Sequence, residues 1–170
     1  MTADQLQKIY RLIINIGQFP KQERYNITND KKQLPRGVVL GLIKLRPCDS
    51  IEKGIDIYPS KPSFRPKYSE LHAECEKLMW DYDPTFDFTT IQINDNQICA
   101  KHKDANNVGV SYIIGLGDYD GGELRVWNKT GDDYEDLNIK NKFVSFDGSQ
   151  FFHETLPFKG KRYTLVYYKV

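Results

Sequence analysis

The chain has 170 residues, 39% of them hydrophobic and 28% charged, with a formal charge of +1. Those values suit one globular domain over 1–170 with room for a core, and a pI near 7.7 lies below that of a dedicated nucleic-acid binder. No apolar run is long enough to span a bilayer, and the amino-terminal stretch, broken by Lys8 and Arg11, lacks the order of a signal peptide.

In chain order, Leu6, Ile9, Tyr10, Ile13 and Ile16 recur at helical spacing between Asp4 and Gly17, which predicts an amphipathic helix over 4–16. Residues 18–37 read as a loop, VVLGLIKL (38–45) as a strand, and the proline-rich segment 46–67 as irregular surface chain. Leu71, Cys75, Leu78 and Met79 then share one side of a second helix, with Ser69 as its expected N-cap. From residue 88 the pattern becomes short strands: FTTIQIN, ICAKH, VSYIIGLG, GELRVW, KFVSFD, QFFHE and RYTLVYYK. Turn residues such as Asp95-Asn96 and Gly121-Gly122 separate them. Two helices ahead of such a block predict an antiparallel β-sandwich or barrel, with the helices on one outer face.

Charge is uneven along the chain: before residue 80 there are 14 Lys and Arg against 9 Asp and Glu, and after it 10 against 14. Lys31, Lys32, Arg36, Lys44, Arg46, Lys61, Arg65 and Lys67, interleaved with Tyr58, Phe64 and Tyr68, suit either an anionic partner or a solvated loop. Cys48, Cys75 and Cys99 are odd in number and form no CxxC pair. That argues against a disulfide framework or zinc knuckle and for a reducing, intracellular setting.

Two of the three histidines fall in the β block. On a strand, residues i and i+2 face the same way, so His102 and Asp104 share a face, and His153 on a later strand can be brought beside them. Two imidazoles and one carboxylate suit one face of an iron(II) coordination sphere. His-x-Asp alone carries little information, and a His at a strand end also serves as an ordinary surface residue. Arg162 adds weight, because an Arg within an otherwise apolar strand needs an anionic partner, and a dicarboxylate provides one; Thr164 lies on the same face.

The order HKD, GDYDGGELRVW, FHETLPFKGKRYTLVYY resembles the core of the 2-oxoglutarate and iron(II) dependent dioxygenases over about residues 86–170. The resemblance implies a mostly β fold with flanking helices (α+β), a jelly-roll or cupin-like double-stranded β-helix on a support region of residues 1–85. It implies His102, Asp104 and His153 as the metal triad, and Arg162 with Thr164 as the 2-oxoglutarate anchor, with Fe(II), 2-oxoglutarate and O2 as cofactors. Asn94, eight residues before His102, either reaches the co-substrate or begins a turn.

FTTIQIN with HKDANNVGVSYIIGLGDYDGGEL is similar to the TET and J-binding-protein group, which oxidises the methyl group of pyrimidine bases. That likeness maps Asn107, with Asn106 adjacent, onto a base contact, the other reading being a turn. The tail HETLPFKGKRY and GGELRVW also resemble prolyl hydroxylases, which makes a peptide the alternative substrate; a metal-free binding module on the same fold is the third reading. The expected enzyme hydroxylates a substrate C–H with release of succinate and CO2, as a monomer without a membrane partner. His72, Trp80, Trp127 and the tyrosines of the last strand are read as packing or surface residues.

Overall fold

A computed structural model describes residues 1–28 and 34–170. Its first helix, α1 (Ala3–Ile16), starts where the Thr2 hydroxyl accepts a bond from the Gln5 backbone amide and the Gln5 side-chain oxygen accepts one from the Thr2 backbone amide, a reciprocal cap that satisfies two otherwise free donors. It stops at Gly17, whose φ of 76° lets the chain leave the helix. The second expected helix is α3 (Pro66–Tyr82), capped by Arg65 with Pro66 in the first turn. Ser69 is therefore not the N-cap; its hydroxyl instead donates to the Pro66 carbonyl.

The segment 46–67 is also more ordered than its prolines suggest. It holds α2 (Pro47–Lys53), ended by Gly54 in the left-handed conformation, and the short strand β2 (Ile57–Pro59), followed by a 3-10 turn over Lys61–Phe64. Pro47 sits at the start of its helix, where a missing N–H costs nothing.

The strands form three antiparallel sheets, of six, three and two strands. The larger runs β2-β1-β3-β11-β4-β8, with β1 (Arg36–Lys44), β3 (Thr90–Asp95), β4 (Ser111–Leu116), β8 (Val144–Phe146) and β11 (Tyr163–Tyr168). The smaller runs β7-β6-β9, with β6 (Leu124–Trp127), β7 (Tyr134–Leu137) and β9 (His153–Thr155), and β5 (Tyr119–Gly121) pairs separately with β10 (Phe158–Gly160). ICAKH is not a strand; its last residue makes only an isolated bridge, His102 to His153.

Alternation along the large sheet divides its two faces. Val38, Leu40, Ile91, Ile93, Leu165 and Tyr167 pack with Ile9, Ile13, Leu71, Cys75 and Leu78 of α1 and α3 in the main core. The opposite face carries Gln92, Asn94, Thr164 and Val166, which look into the space between the sheets. A smaller cluster of Ile113, Leu124, Ile139 and Phe146 closes part of that space. Helices on one face and a polar-lined cavity on the other follow directly from this period-two pattern.

Candidate active site

The cavity between the sheets has a volume of about 580 Å³ and collects most of the chemistry-bearing residues. His102 reaches it from the loop before β4, held by two backbone bonds to His153 (3.0 and 2.9 Å). Asp104 follows, its amide bonded to the Gly148 carbonyl at 2.8 Å. His153 opens β9, opposite Val126 of β6. The ligand-capable atoms of His102, Asp104 and His153 all lie within 4.8 Å of one another. The Nε2 atoms of the two imidazoles stand 3.6 and 3.7 Å from the Asp104 oxygens, while their Nδ1 atoms lie 2.7 and 3.2 Å from the carbonyls of Ala100 and Phe151. A neutral imidazole that donates from Nδ1 presents a lone pair at Nε2, so both rings are oriented to bind a cation.

Electrostatics support the same reading. Burial pushes the Asp104 carboxyl up, but the two imidazoles beside it more than offset this, leaving it below the usual carboxylate range. Burial pushes His153 down, against the opposing pull of Asp104, and so favours its neutral ring. Gly148 is part of the construction: a Cβ there would stand 2.5 Å from Asp104 Oδ2 and 3.1 Å from His153 Cε1, so this turn must approach without a side chain.

At the other end of the cavity Arg162 is 2% exposed. Its Nη1 donates to the Gln97 carbonyl at 3.4 Å, while Nε and Nη2 have no partner among the described residues. Asn94 lies in β3 and is not a turn residue; the turn belongs to Asn96, at φ 50°. The Asn94 amide donates to Thr164 Oγ1 at 2.9 Å, and its Oδ1 is buried without a partner among the described residues. A guanidinium with two idle donors, deep in a cavity beside a threonine hydroxyl, fits a carboxylate ligand. The N, N, O donor set fits a ferrous ion, with positions left for a chelating co-substrate.

Two sequence readings change. Asn107 lines the cavity, but its amide donates to Asp104 Oδ2 at 2.9 Å and to Ser111 Oγ at 3.4 Å, so it is engaged with the carboxylate; Asn106 is exposed at the rim. The tyrosines of the last strand divide: Tyr163 and Tyr167 join the core, whereas Tyr168 lines the cavity. Burial pushes the Tyr168 phenol up to about 12, so it stays a protonated donor at neutral pH. Its position two and four residues past Val166 and Thr164 was the available signal. Trp80 is 52% exposed and no core residue, Trp127 is half-buried, and His72 is half-buried beside Glu76.

The interleaved basic residues are dispersed. Arg36 donates to the Phe19 carbonyl, Arg46 pairs with Asp49, and Tyr68 is buried against Phe19, while Lys44 stays at the cavity rim. Lys31 and Lys32 lie outside the described residues. No helix among the described residues is long and apolar enough to cross a membrane.

Comparison with known proteins places this geometry. The family model of the 2OG-Fe(II) oxygenase superfamily matches residues 85–169. No curated protein matches. Among solved structures, a 2OG-Fe(II) oxygenase family oxidoreductase from Burkholderia pseudomallei is similar at a TM-score of 0.60 and 20% identity, over 99% of this chain and 78% of that one. A Pseudomonas putida prolyl-4-hydroxylase is similar at 0.56 and 17% identity, over 99% and 88%. NgTET1 in complex with 5mC DNA is similar at 0.59 and 12% identity, over 99% and 69%. These likenesses show a shared double-stranded β-helix. With half the chain matched by the family model and a His-Asp-His group in its cavity, the protein belongs to the 2OG-Fe(II) oxygenase superfamily and is a dioxygenase dependent on Fe(II), 2-oxoglutarate and O2.

Proposed function

We propose that the enzyme oxidises the methyl group of a pyrimidine base in nucleic acid, with His102, Asp104 and His153 as iron ligands and Arg162, Thr164 and Asn94 holding 2-oxoglutarate. One observation carries the substrate class. Tyr168 lines the same cavity as the His-Asp-His group, together with the cations Arg24, Lys44 and Lys103 and the carboxylates of Glu23 and Glu154. A flat ring in a cavity with a cationic margin suits a planar base on a phosphate backbone.

The bound iron, 2-oxoglutarate and O2 supply the oxidising chemistry, which yields hydroxylated substrate, succinate and CO2. The chain's own residues do the positioning. The Ala100 and Phe151 carbonyls set the tautomer and tilt of the two imidazoles, and Asn107 restrains one Asp104 oxygen. The buried Arg162 would neutralise a carboxylate of the co-substrate, with the Thr164 hydroxyl two residues along the same strand face as a second polar contact. Tyr168 offers a stacking face and one phenolic donor to a base that has left its helix or comes from a single strand.

The test offers the enzyme, with Fe(II), ascorbate and 2-oxoglutarate, single-stranded DNA containing 5-methylcytosine or thymine and, separately, proline-containing peptides. Mass spectrometry is expected to find a base mass raised by one oxygen and unaltered peptide. Hydroxylated peptide beside untouched DNA would replace this reading with the prolyl one.

A further inference from the structure

The short strands β5 and β10 pack against the end of the cavity that holds Arg162. Tyr119 of β5 and Phe158 of β10 meet edge to face, 6.3 Å between ring centres, and the Arg162 guanidinium carbon stands 5.7 and 5.4 Å from those centres. The chain leaving β5 comes as close: a Cβ on Gly122, at φ 72°, would stand 2.8 Å from Arg162 Nε. Gly121-Gly122 therefore does more than separate two strands, since the second glycine lets the backbone pass against the guanidinium.

Register across the large sheet places the Tyr119 hydroxyl. Thr164 of β11 is paired with Asn94 of β3 on one side and with Gly115 of β4 on the other. Directly paired residues share a face, so the three positions form one row, on the face where Asn94 and Thr164 line the cavity. Gly115 adds no side chain to that row, and a Cβ there would stand 2.1 Å from the Tyr119 hydroxyl oxygen. The phenol thus fills the place that residue 115 leaves, and its oxygen becomes the next polar group of the row after Thr164. Like Arg162 Nε and Nη2, this oxygen is buried with no partner among the described residues. Burial raises the phenol's pKa against the pull of Arg162, which leaves it a protonated donor at neutral pH.

An idle buried hydroxyl costs stability that a phenylalanine in the same place would not. The idle oxygen of Asn94 is no remedy, because the whole of β11 separates residues 94 and 115 in the row. A guanidinium and a phenol with free donors at one end of a cavity call for a single acceptor with two oxygens. We propose that Tyr119 is a co-substrate-binding residue, its phenol donating through the gap at Gly115 to the carboxylate that Arg162 neutralises. This rests on reading Arg162 as the 2-oxoglutarate anchor. Arg162 supplies the charge, and Tyr119 fixes the second oxygen and so the direction of the carboxylate.

The experiment measures 2-oxoglutarate binding by calorimetry to the full chain loaded with Mn(II), which stands in for iron so that nothing turns over. Tyr119→Phe keeps the ring against Phe158 and Arg162 and removes only the oxygen. It is expected to weaken 2-oxoglutarate about tenfold. Affinity should stay unchanged for Mn(II), and for oxalate, whose two carboxylates are both spent on chelating the metal. The ligand-free Tm of the variant is expected to hold or rise, because the oxygen it loses had no partner. Unchanged 2-oxoglutarate affinity overturns the assignment, and so does an equal loss for oxalate, which would make the hydroxyl a general brace of the site. A ligand-free Tm several degrees lower with 2-oxoglutarate affinity intact would make it a structural group. Arg162→Met is measured beside it. Affinity lost there and kept in Tyr119→Phe sinks the role of the phenol alone, whereas affinity kept in Arg162→Met sinks the reading of the anchor.

Discussion

Asp104 is held from three sides. Its amide is bonded to Gly148, one carboxylate oxygen accepts from Asn107, and the turn at Gly148 passes so close that any side chain there would strike the same oxygen. Restraint at Oδ2 limits how the carboxylate can turn relative to the two imidazoles, so the group would be held ready for a metal. Asn107→Ala is therefore expected to weaken Mn(II) binding, used as a stand-in for iron, by about 10- to 100-fold in calorimetry. Gly148→Ala should do at least as much and should also lower the thermal midpoint of the metal-free chain, because its Cβ would press on Asp104, Phe146 and His153. Undiminished Mn(II) affinity in both variants would show that Asp104 needs no such support. His102, Asp104, His153 and Arg162 were expected from the sequence because HKD and FHETLPFKGKRYTLVYY carry the family resemblance, and the fold gathers all four in one cavity. The Asn107 contact was not, since a turn of three residues permits many side-chain directions and only the folded backbone selects one.

At the scale of elements, the long periodic segments were legible and the short ones were not. α1, α3, β3, β4 and β11 appear within a few residues of their expected bounds because each buries one face in the main core. β5 and β10 are three residues long, and β7 reads YEDL, so none shows an alternating apolar face. They form because partner strands supply hydrogen bonds, information that lies elsewhere in the chain. A polar link inside the core ties the helical layer to the large sheet: the Tyr167 hydroxyl of β11 donates to the Cys75 carbonyl of α3 at 2.9 Å. Tyr167→Phe removes that donor while leaving the ring and the helical bond of the carbonyl. Its expected cost is about 0.5–1.5 kcal/mol in urea unfolding, with oxygenase turnover per folded molecule unchanged. A loss of turnover without a loss of stability would mean that β11 is positioned by this link.

For the whole molecule the most consequential feature is an unfinished one. Arg162 is buried with two guanidinium nitrogens that have no partner among the described residues, and it lines the same cavity as the His-Asp-His group. Burial pulls the Arg162 pKa down, which reflects how poorly its charge is compensated in the free protein. The fold therefore holds a site whose electrostatics are completed by an anion, and stability should depend on co-substrate more than its size suggests. With Mn(II) present, 2-oxoglutarate at about 100 times its dissociation constant should add about 2.7 kcal/mol, a rise in Tm of roughly 5–10 °C for a chain of this length. Arg162→Met keeps an unbranched chain in the space and removes the uncompensated charge. Its ligand-free Tm is expected to equal or exceed that of the natural chain, because loss of a buried unpaired cation offsets the lost packing. Its 2-oxoglutarate shift should largely vanish while Mn(II) affinity stays intact, a pattern that differential scanning fluorimetry and calorimetry resolve together. A variant that melts several degrees lower yet keeps the full 2-oxoglutarate shift would make Arg162 a structural residue and move the anchor elsewhere in the cavity.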